Sequence, residues 1–240
     1  MWNAVLGIIR SDIKKGFHSW SLFLILVTPV LLILLMLFAV PWLAGLFLSG
    51  QGVDLYRYYS LIGISTASLI PVFAGLFYAL VSIQGFNINA SYEPHPQQSR
   101  TPLQVRIISA FLLCLVYSLL FVFTADPVPG EGWIRNSFAA ILFALQAPFV
   151  FLLFRYMAGR KKRLILFYAL CFLLVAALPV GLLLRQPWHY FTFLSPFYWI
   201  GWAWVIEAPL ESMAYGAISI IITALFVYLP CRLIFARILK

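Results

Sequence analysis

The chain has 240 residues, of which 64% are hydrophobic and 10% charged, with a formal net charge of +9 and a mean hydropathy of +1.00. These proportions lie far outside those of soluble domains, and the length leaves no room for a folded soluble domain beside a membrane-embedded one. No ATP-hydrolysing domain is therefore expected within these 240 residues, and no Gly-rich phosphate loop ending in Gly-Lys-Ser/Thr occurs in them. The positive charge flanks apolar runs, so it reads as a topology signal and not as a nucleic-acid footprint.

Seven stretches of 19 residues or more carry no Asp, Glu, Lys or Arg: 16–53, 58–92, 107–125, 136–154, 164–184, 186–206 and 212–231. Each matches the roughly 30 Å hydrocarbon core of a bilayer. The N-terminal segment comes first. Trp2, Val5, Leu6, Ile9, Ile13 and Phe17 recur at helical spacing, with Arg10 and Lys14 opposite. That pattern predicts a surface helix over 1–18 that lies in the membrane interface without crossing it. No short apolar core with a small-residue cleavage site is evident, so no cleaved signal peptide is expected. Spans are then expected at 20–48, 61–86, 105–124, 138–156, 164–184 and 212–233, within one transmembrane domain over 1–240. Pro29 is expected to kink the first span and Pro41 to end its straight part.

The stretch 186–206 satisfies the charge criterion but reads differently. It carries Pro187 and Pro196, and nine of its 21 residues are aromatic, among them Trp188, Tyr198, Trp199 and Trp202. Trp and Tyr concentrate where headgroups meet water. Charge parity decides the matter. If this segment does not cross, six spans put both termini on one side with thirteen basic residues, and leave only Arg57, Arg135 and Arg185 on the other. That side is the cytoplasm by the positive-inside rule. Residues 186–211 are therefore read as an external re-entrant or interfacial helical hairpin. The fold class is an all-α membrane protein, multi-pass in the cytoplasmic (inner) membrane, with both termini cytoplasmic.

Catalytic chemistry is hard to place. The spans hold no carboxylate, no histidine cluster and no Ser/Lys pair. Cys114, Cys171 and Cys231 lie in apolar runs and behave as small hydrophobes. His18, His95 and His189 are far apart, so no metal site is expected. The absence of intramembrane Asp or Glu argues against proton coupling, and no internal repeat suggests an inverted-repeat carrier. The polar residues within the spans include Ser82, Gln84 and Gln146. Gln146 stands mid-span beside Ala147-Pro148, either as a pathway residue or as a hydrogen-bonding link to a neighbouring helix. In the cytoplasmic loop after the second expected span, Thr101-Pro102 is a helix-start signal. This loop is a docking surface or a connector. The basic run Arg160-Lys-Lys-Arg163 reads chiefly as a topology signal, with anionic lipid headgroups as the other reading.

The order of these features resembles the membrane subunits of ABC-2-type exporters, and among them the small fluoroquinolone-exporter-like permeases. The residues carrying the resemblance are Val40-Pro-Trp-Leu43, Asp54-Leu-Tyr-Arg-Tyr-Tyr59, Thr101-Pro-Leu103, Leu145-Gln-Ala-Pro148 and Leu194-Ser-Pro-Phe-Tyr-Trp199. One departure is plain. Relatives carry an acidic stretch before Thr-Pro-Leu, where this chain has Glu93 alone followed by Pro94-His-Pro96. The resemblance implies an exporter of two permeases, as homodimer or heterodimer, and two ABC ATPase subunits. ATP and Mg would then bind the ATPase partner, with no cofactor on this chain and membrane lipid around it. It further implies ATPase-coupling roles for Arg10, Lys14, Glu93, His95, Arg100, Thr101 and Arg106. The translocation pathway would be lined by Ser82, Gln84 and Gln146, and an external gate formed by Trp188, Tyr198, Trp199 and Trp202. A non-transporting membrane scaffold or assembly subunit is the other reading.

Overall fold

A computed structural model describes residues 2–39, 42, 55–89, 103–125, 132–157, 193, 195–206 and 208–225. Among these the regular structure is entirely helical. In a bilayer every backbone N–H and C=O must be satisfied within the protein, which favours helices for apolar runs of this kind. The elements are α1 (Trp2–His18), α2 (Trp20–Leu34), α3 (Leu55–Asn89), α4 (Leu103–Thr124), α5 (Trp133–Met157), α6 (Pro196–Val205) and α7 (Pro209–Thr223). A π-helical turn, Leu35–Ala39, continues α2 past Pro29, so the proline does not end the helix.

Four of these helices are long and apolar enough to cross a membrane, at Trp20–Ala39, Ile62–Ser82, Gln104–Thr124 and Trp133–Arg155. They overlap the first four expected spans. The expected fifth span, 164–184, lies outside the described residues, as do 226–240 and the greater part of the loop 87–106. Pro209–Thr223 is apolar but shorter.

Two buried clusters fix how the helices run. One gathers Leu22 and Leu26 of α2, Phe77, Tyr78 and Val81 of α3, Ala110 of α4, and Val150, Phe151 and Phe154 of α5, with Ile13 of α1 against it. The other gathers Ile33 and Met36, Ile64 to Ala74 on α3, Phe121 and Val122, Ala139 to Ala147 on α5, and Phe197, Ile200 and Trp204 of α6. Early residues of α2 and α4 thus share one end with late residues of α3 and α5. The four helices alternate in direction, with α1 at one end of the bundle and α6 at the other.

The helices are unequally enclosed. The apolar windows of α3 and α5 are 67% and 61% buried, against 28% and 33% for α2 and α4. Small residues make the central contact possible: a Cβ at Gly75 would lie 2.7 Å from the Ala147 carbonyl and 2.7 Å from the Val150 Cβ. Ala139, Ala140, Ala144 and Ala147 on α5, with Ala67 and Ala74 on α3, extend this seam. Helices in lipid associate through such close packing because apolar surface gains nothing by leaving lipid tails. The exposed Leu24 and Leu31 of α2, with Leu35 and Phe38 of the π-helical turn that continues it, face outward from the bundle.

At the α6 end, Pro196 at the first helical position of α6 suits its fixed φ. The chain leaves the helix in extended backbone at Ile206 and re-enters at Pro209. α6 folds back on α7, and the Ser212 hydroxyl donates to the Ala203 carbonyl at 2.7 Å to hold the bend. The hairpin expected over 186–211 is described only from its middle onward, as α6 and the first turn of α7; Trp188 lies outside the described residues.

Candidate functional site

Polar and aromatic side chains collect at three levels of the bundle. At the α1 end, the surface helix sits on the bundle by a face that its apolar stripe only partly predicts. Leu6 and Phe17 of that stripe are exposed, whereas Asp12 and Gly16 are buried. A side chain larger than hydrogen at Gly16 would press on the ring of Phe77 at 2.9 Å, so α1 approaches α3 closely there. One flank of the stripe turns to the bundle and the other away from it, and Arg10 and Lys14 are exposed. Asp12 Oδ1 lies 3.6 Å from Lys15 Nζ. Burial pushes the Asp12 carboxyl up, and the charges of Lys15 and then Arg106 pull it back only in part. Arg106, Tyr78 and Ser82 bring polar atoms to the same end, with Arg155 placed so that its charge opposes that of Arg106.

Of the seven residues expected to couple to an ATPase, the structure thus places Arg10, Lys14 and Arg106 at one end of the bundle. Glu93, His95, Arg100 and Thr101 lie outside the described residues.

Midway along the bundle, Gln146 of α5 is 4% exposed, and its Oε1 accepts a hydrogen bond from the Thr223 hydroxyl of α7 at 2.9 Å. Thr223 also approaches the Ser219 carbonyl at 2.8 Å. Gln146 therefore bridges two helices of one protomer. Ser82 is not beside it. The contact of Gly75 with Ala147 sets the height of Gln146, and Ser82 lies seven residues further along α3, roughly 10 Å away at 1.5 Å per residue. Gln84 belongs to α3, but its side chain lies outside the described residues.

At the α6 end, five rings meet. Tyr198 packs edge-on against Phe193 and Trp199 at 5.1 and 5.3 Å between centroids, and Trp199 stacks on Tyr215 of α7 at 5.7 Å. Trp202 reaches both Tyr198 and Tyr215, at 6.2 and 6.4 Å, and stays 42% exposed. The Trp199 indole donates to the Phe193 carbonyl at 2.8 Å. Tyr198, Trp199 and Trp202 thus form one surface, whose edge-to-face and stacked pairs are of the stabilising kind.

Beneath it sits a residue that the aromatic count alone did not single out. Trp204 is 1% exposed, packs against Phe121, and donates its indole N–H to Asn136 Oδ1 at 3.0 Å. The signal was available in Asn136, a lone amide opening a charge-free run, which needs a partner once buried.

The fluoroquinolones export permease family of the Rv2686c-like type matches this chain over residues 12–231. The chain belongs to that family. No curated protein matches it, and no solved structure does. The match covers the four apolar helices, α6, α7 and the aromatic surface together. Membership in an export permease family, with several apolar helices long enough to cross, makes the chain a multi-pass membrane protein of transport type.

Proposed function

We propose that this protein is the membrane subunit of an ATP-driven ABC-2-type exporter, working with separate ATPase subunits and a second permease. The observation that carries the reading is the family match combined with the division of charge. Arg10, Lys14, Lys15, Arg106 and Arg155 stand at the α1 end, against Arg135 alone among the described basic side chains of the α6 end. The positive-inside rule makes the α1 end cytoplasmic, where an ATPase would dock. Energy must arrive from such a partner, because the described spans offer no carboxylate for a proton relay.

In this reading the chain makes six crossings, with 164–184 as the fifth and 212–233 as the sixth. Loop residues Glu93, His95, Arg100 and Thr101 receive the ATPase, with Arg10, Lys14 and Arg106 beside them. The ring surface of Tyr198, Trp199 and Trp202 then forms the external gate, with Trp188 joining it. Ring faces suit an amphiphilic molecule with a cationic or aromatic part, which makes a small amphiphilic drug-like compound the expected cargo.

The experiment is purification of the tagged chain from its own membranes, followed by export assays in inverted vesicles. A co-purifying ATPase and ATP-dependent accumulation of an amphiphilic dye are the expected results. Both should be uncoupled when residues 93–100 are replaced by a Gly/Ser linker. Stable partner binding with no ATP-dependent flux would overturn the transport reading in favour of a scaffold.

A further inference from the structure

With Asp12 and Gly16 turned to the bundle, α1 presents a second edge that packs on nothing. Leu6, Arg10 and Lys14 follow one another at i, i+4 and i+8, and Phe17 stands three residues beyond Lys14. This spacing puts all four on one face, and all four are exposed. Arg10 and Lys14 have no ion-pair partner among the described residues, whereas Lys15, on the other flank, lies 3.6 Å from Asp12. His18 closes the row, its Nδ1–H donating to the Lys14 carbonyl at 2.7 Å.

The apolar members of this edge set its depth. Phe17 packs against Phe23 of α2 at 5.8 Å between centroids, and Trp20 stacks on the same ring at 5.8 Å. Phe23 lies in the first turn of the Trp20–Ala39 span. Phe17 and Trp20 are nonetheless 61% and 74% exposed. A Trp at the end of a span marks the headgroup level, so Phe17 stands where hydrocarbon begins. Arg10 and Lys14 share its edge, and their aliphatic stems can lie along apolar surface while the charges reach polar groups. A soluble partner covers the water side of a helix and does not reach a ring packed on the first turn of a span. An occupant that meets exposed rings and two unpaired cations together needs an acyl chain joined to an anion. Phosphate suits both cations, since Arg binds it through two parallel N–H groups and Lys binds it as a point charge. The α1 end also holds the greater share of basic side chains, and the leaflet on that side is the one rich in anionic lipid.

We infer that the Arg10–Lys14 edge of α1 is a binding site for the phosphate headgroup of an anionic phospholipid, whose acyl chain lies against Phe17 and Trp20. The site needs neither ATP nor cargo and does not depend on transport. It gives Arg10 and Lys14 a lipid partner whatever docks on the loop beside them.

The test uses the full chain with Cys114, Cys171 and Cys231 replaced by Ala and a bimane fluorophore at Gly7→Cys. Gly7 is exposed, lies three residues before Arg10, and has nothing within 4 Å of an added Cβ. The chain is placed in phosphatidylcholine nanodiscs that hold a small fixed share of nitroxide-labelled lipid, either phosphatidylglycerol or phosphatidylcholine, with the nitroxide high on the acyl chain. Quenching should report a local enrichment of phosphatidylglycerol of about fivefold or more, because each basic side chain near an anionic surface contributes about that factor. The enrichment should vanish in R10Q/K14Q and survive in R10K/K14R. It should also survive in K161Q/K162Q, which removes the same charge from the run Arg160–Arg163. Equal quenching by the two lipids in the unmodified chain overturns the site. So does a preference that R10Q/K14Q keeps or that K161Q/K162Q abolishes. If R10Q/K14Q fails to fold, the single variants R10Q and K14Q decide: a lowered preference in each supports the site, and an unchanged one in both overturns it.

Co-purification of an ATPase is read in the same variants. Loss of the ATPase from R10Q/K14Q with an unchanged lipid preference gives the edge to the ATPase and overturns the lipid site. Absence of a co-purifying ATPase from the unmodified chain overturns the exporter function, while the quenching still decides the lipid site.

Discussion

Replacing Gln146 with Met separates a helix link from a pathway residue. Met has nearly the volume of Gln, so no cavity forms and the loss is confined to polar contact. That contact is one hydrogen bond from Thr223 at 2.9 Å. Interhelical hydrogen bonds within membranes average about 0.6 kcal/mol and reach about 1.7 kcal/mol. Thr223 keeps the Ser219 carbonyl at 2.8 Å as an acceptor, so its hydroxyl is not stranded. The expected cost therefore lies at the low end, about 0.5–1 kcal/mol, which corresponds to a fall of about 1–4 °C in Tm for a chain of this size. Thermal unfolding of the detergent-solubilised protein measures it, and a double-mutant cycle with Thr223→Val should return a coupling of about 0.6 kcal/mol. Export should follow stability. A Q146M variant that keeps its Tm yet loses or changes export would refute the reasoning and put Gln146 in the pathway.

Three other outcomes follow from the same geometry. Gly75→Leu should cost about 3 kcal/mol or more through overpacking against Ala147 and Val150, whereas Gly7→Ala, with nothing within 4 Å, should gain up to about 1 kcal/mol of helix propensity; thermal unfolding of both variants checks the contrast. Trp204→Phe should cost about 1–3 kcal/mol by removing the donor to buried Asn136, a loss that Trp202→Phe does not share, as read from paired melting curves. Asp12 has a raised carboxyl in the folded state, faced by Lys15, Arg106 and Tyr78. The folded chain therefore holds that proton more tightly than the unfolded one. This contribution to stability is complete below pH of about 4 and is lost as pH rises through the raised value. Melting curves across this range should show the slope, and D12N should lack it.

Much of the architecture was legible because the bilayer simplifies the code. Charge-free length marks a crossing, and proline with clustered Trp and Tyr marks the segment that became α6. The apolar stripe of α1 was legible as a stripe, but not the rotation that sends Leu6 and Phe17 outward and Asp12 inward. Hydropathy does not distinguish lipid from protein interior, and so cannot say which flank of a helix has a protein neighbour. Gly16, four residues after Asp12, was the available hint, since a glycine within a helix marks a close approach. The Gln146–Thr223 and Asn136–Trp204 pairs join residues 77 and 68 positions apart. No local periodicity encodes a partner at that distance.

The unequal enclosure of the helices bears on how the chain is made. α3, with a hydropathy of 1.9 against 3.0 for the Trp20–Ala39 span, is the least apolar of the four long spans and the most enclosed. Its partner across the Gly75 seam is built from Ala139 to Val150, which leave the ribosome some seventy residues later. At about 5–20 residues per second, that is a delay of about 4–15 s. During that interval the close-packing face at Gly75 has no α5 to pack against. Nascent α3 must wait in the insertion machinery, at the membrane interface or against α2 until its proper neighbour arrives. Biogenesis of this protein is thus paced by the second half of its own chain.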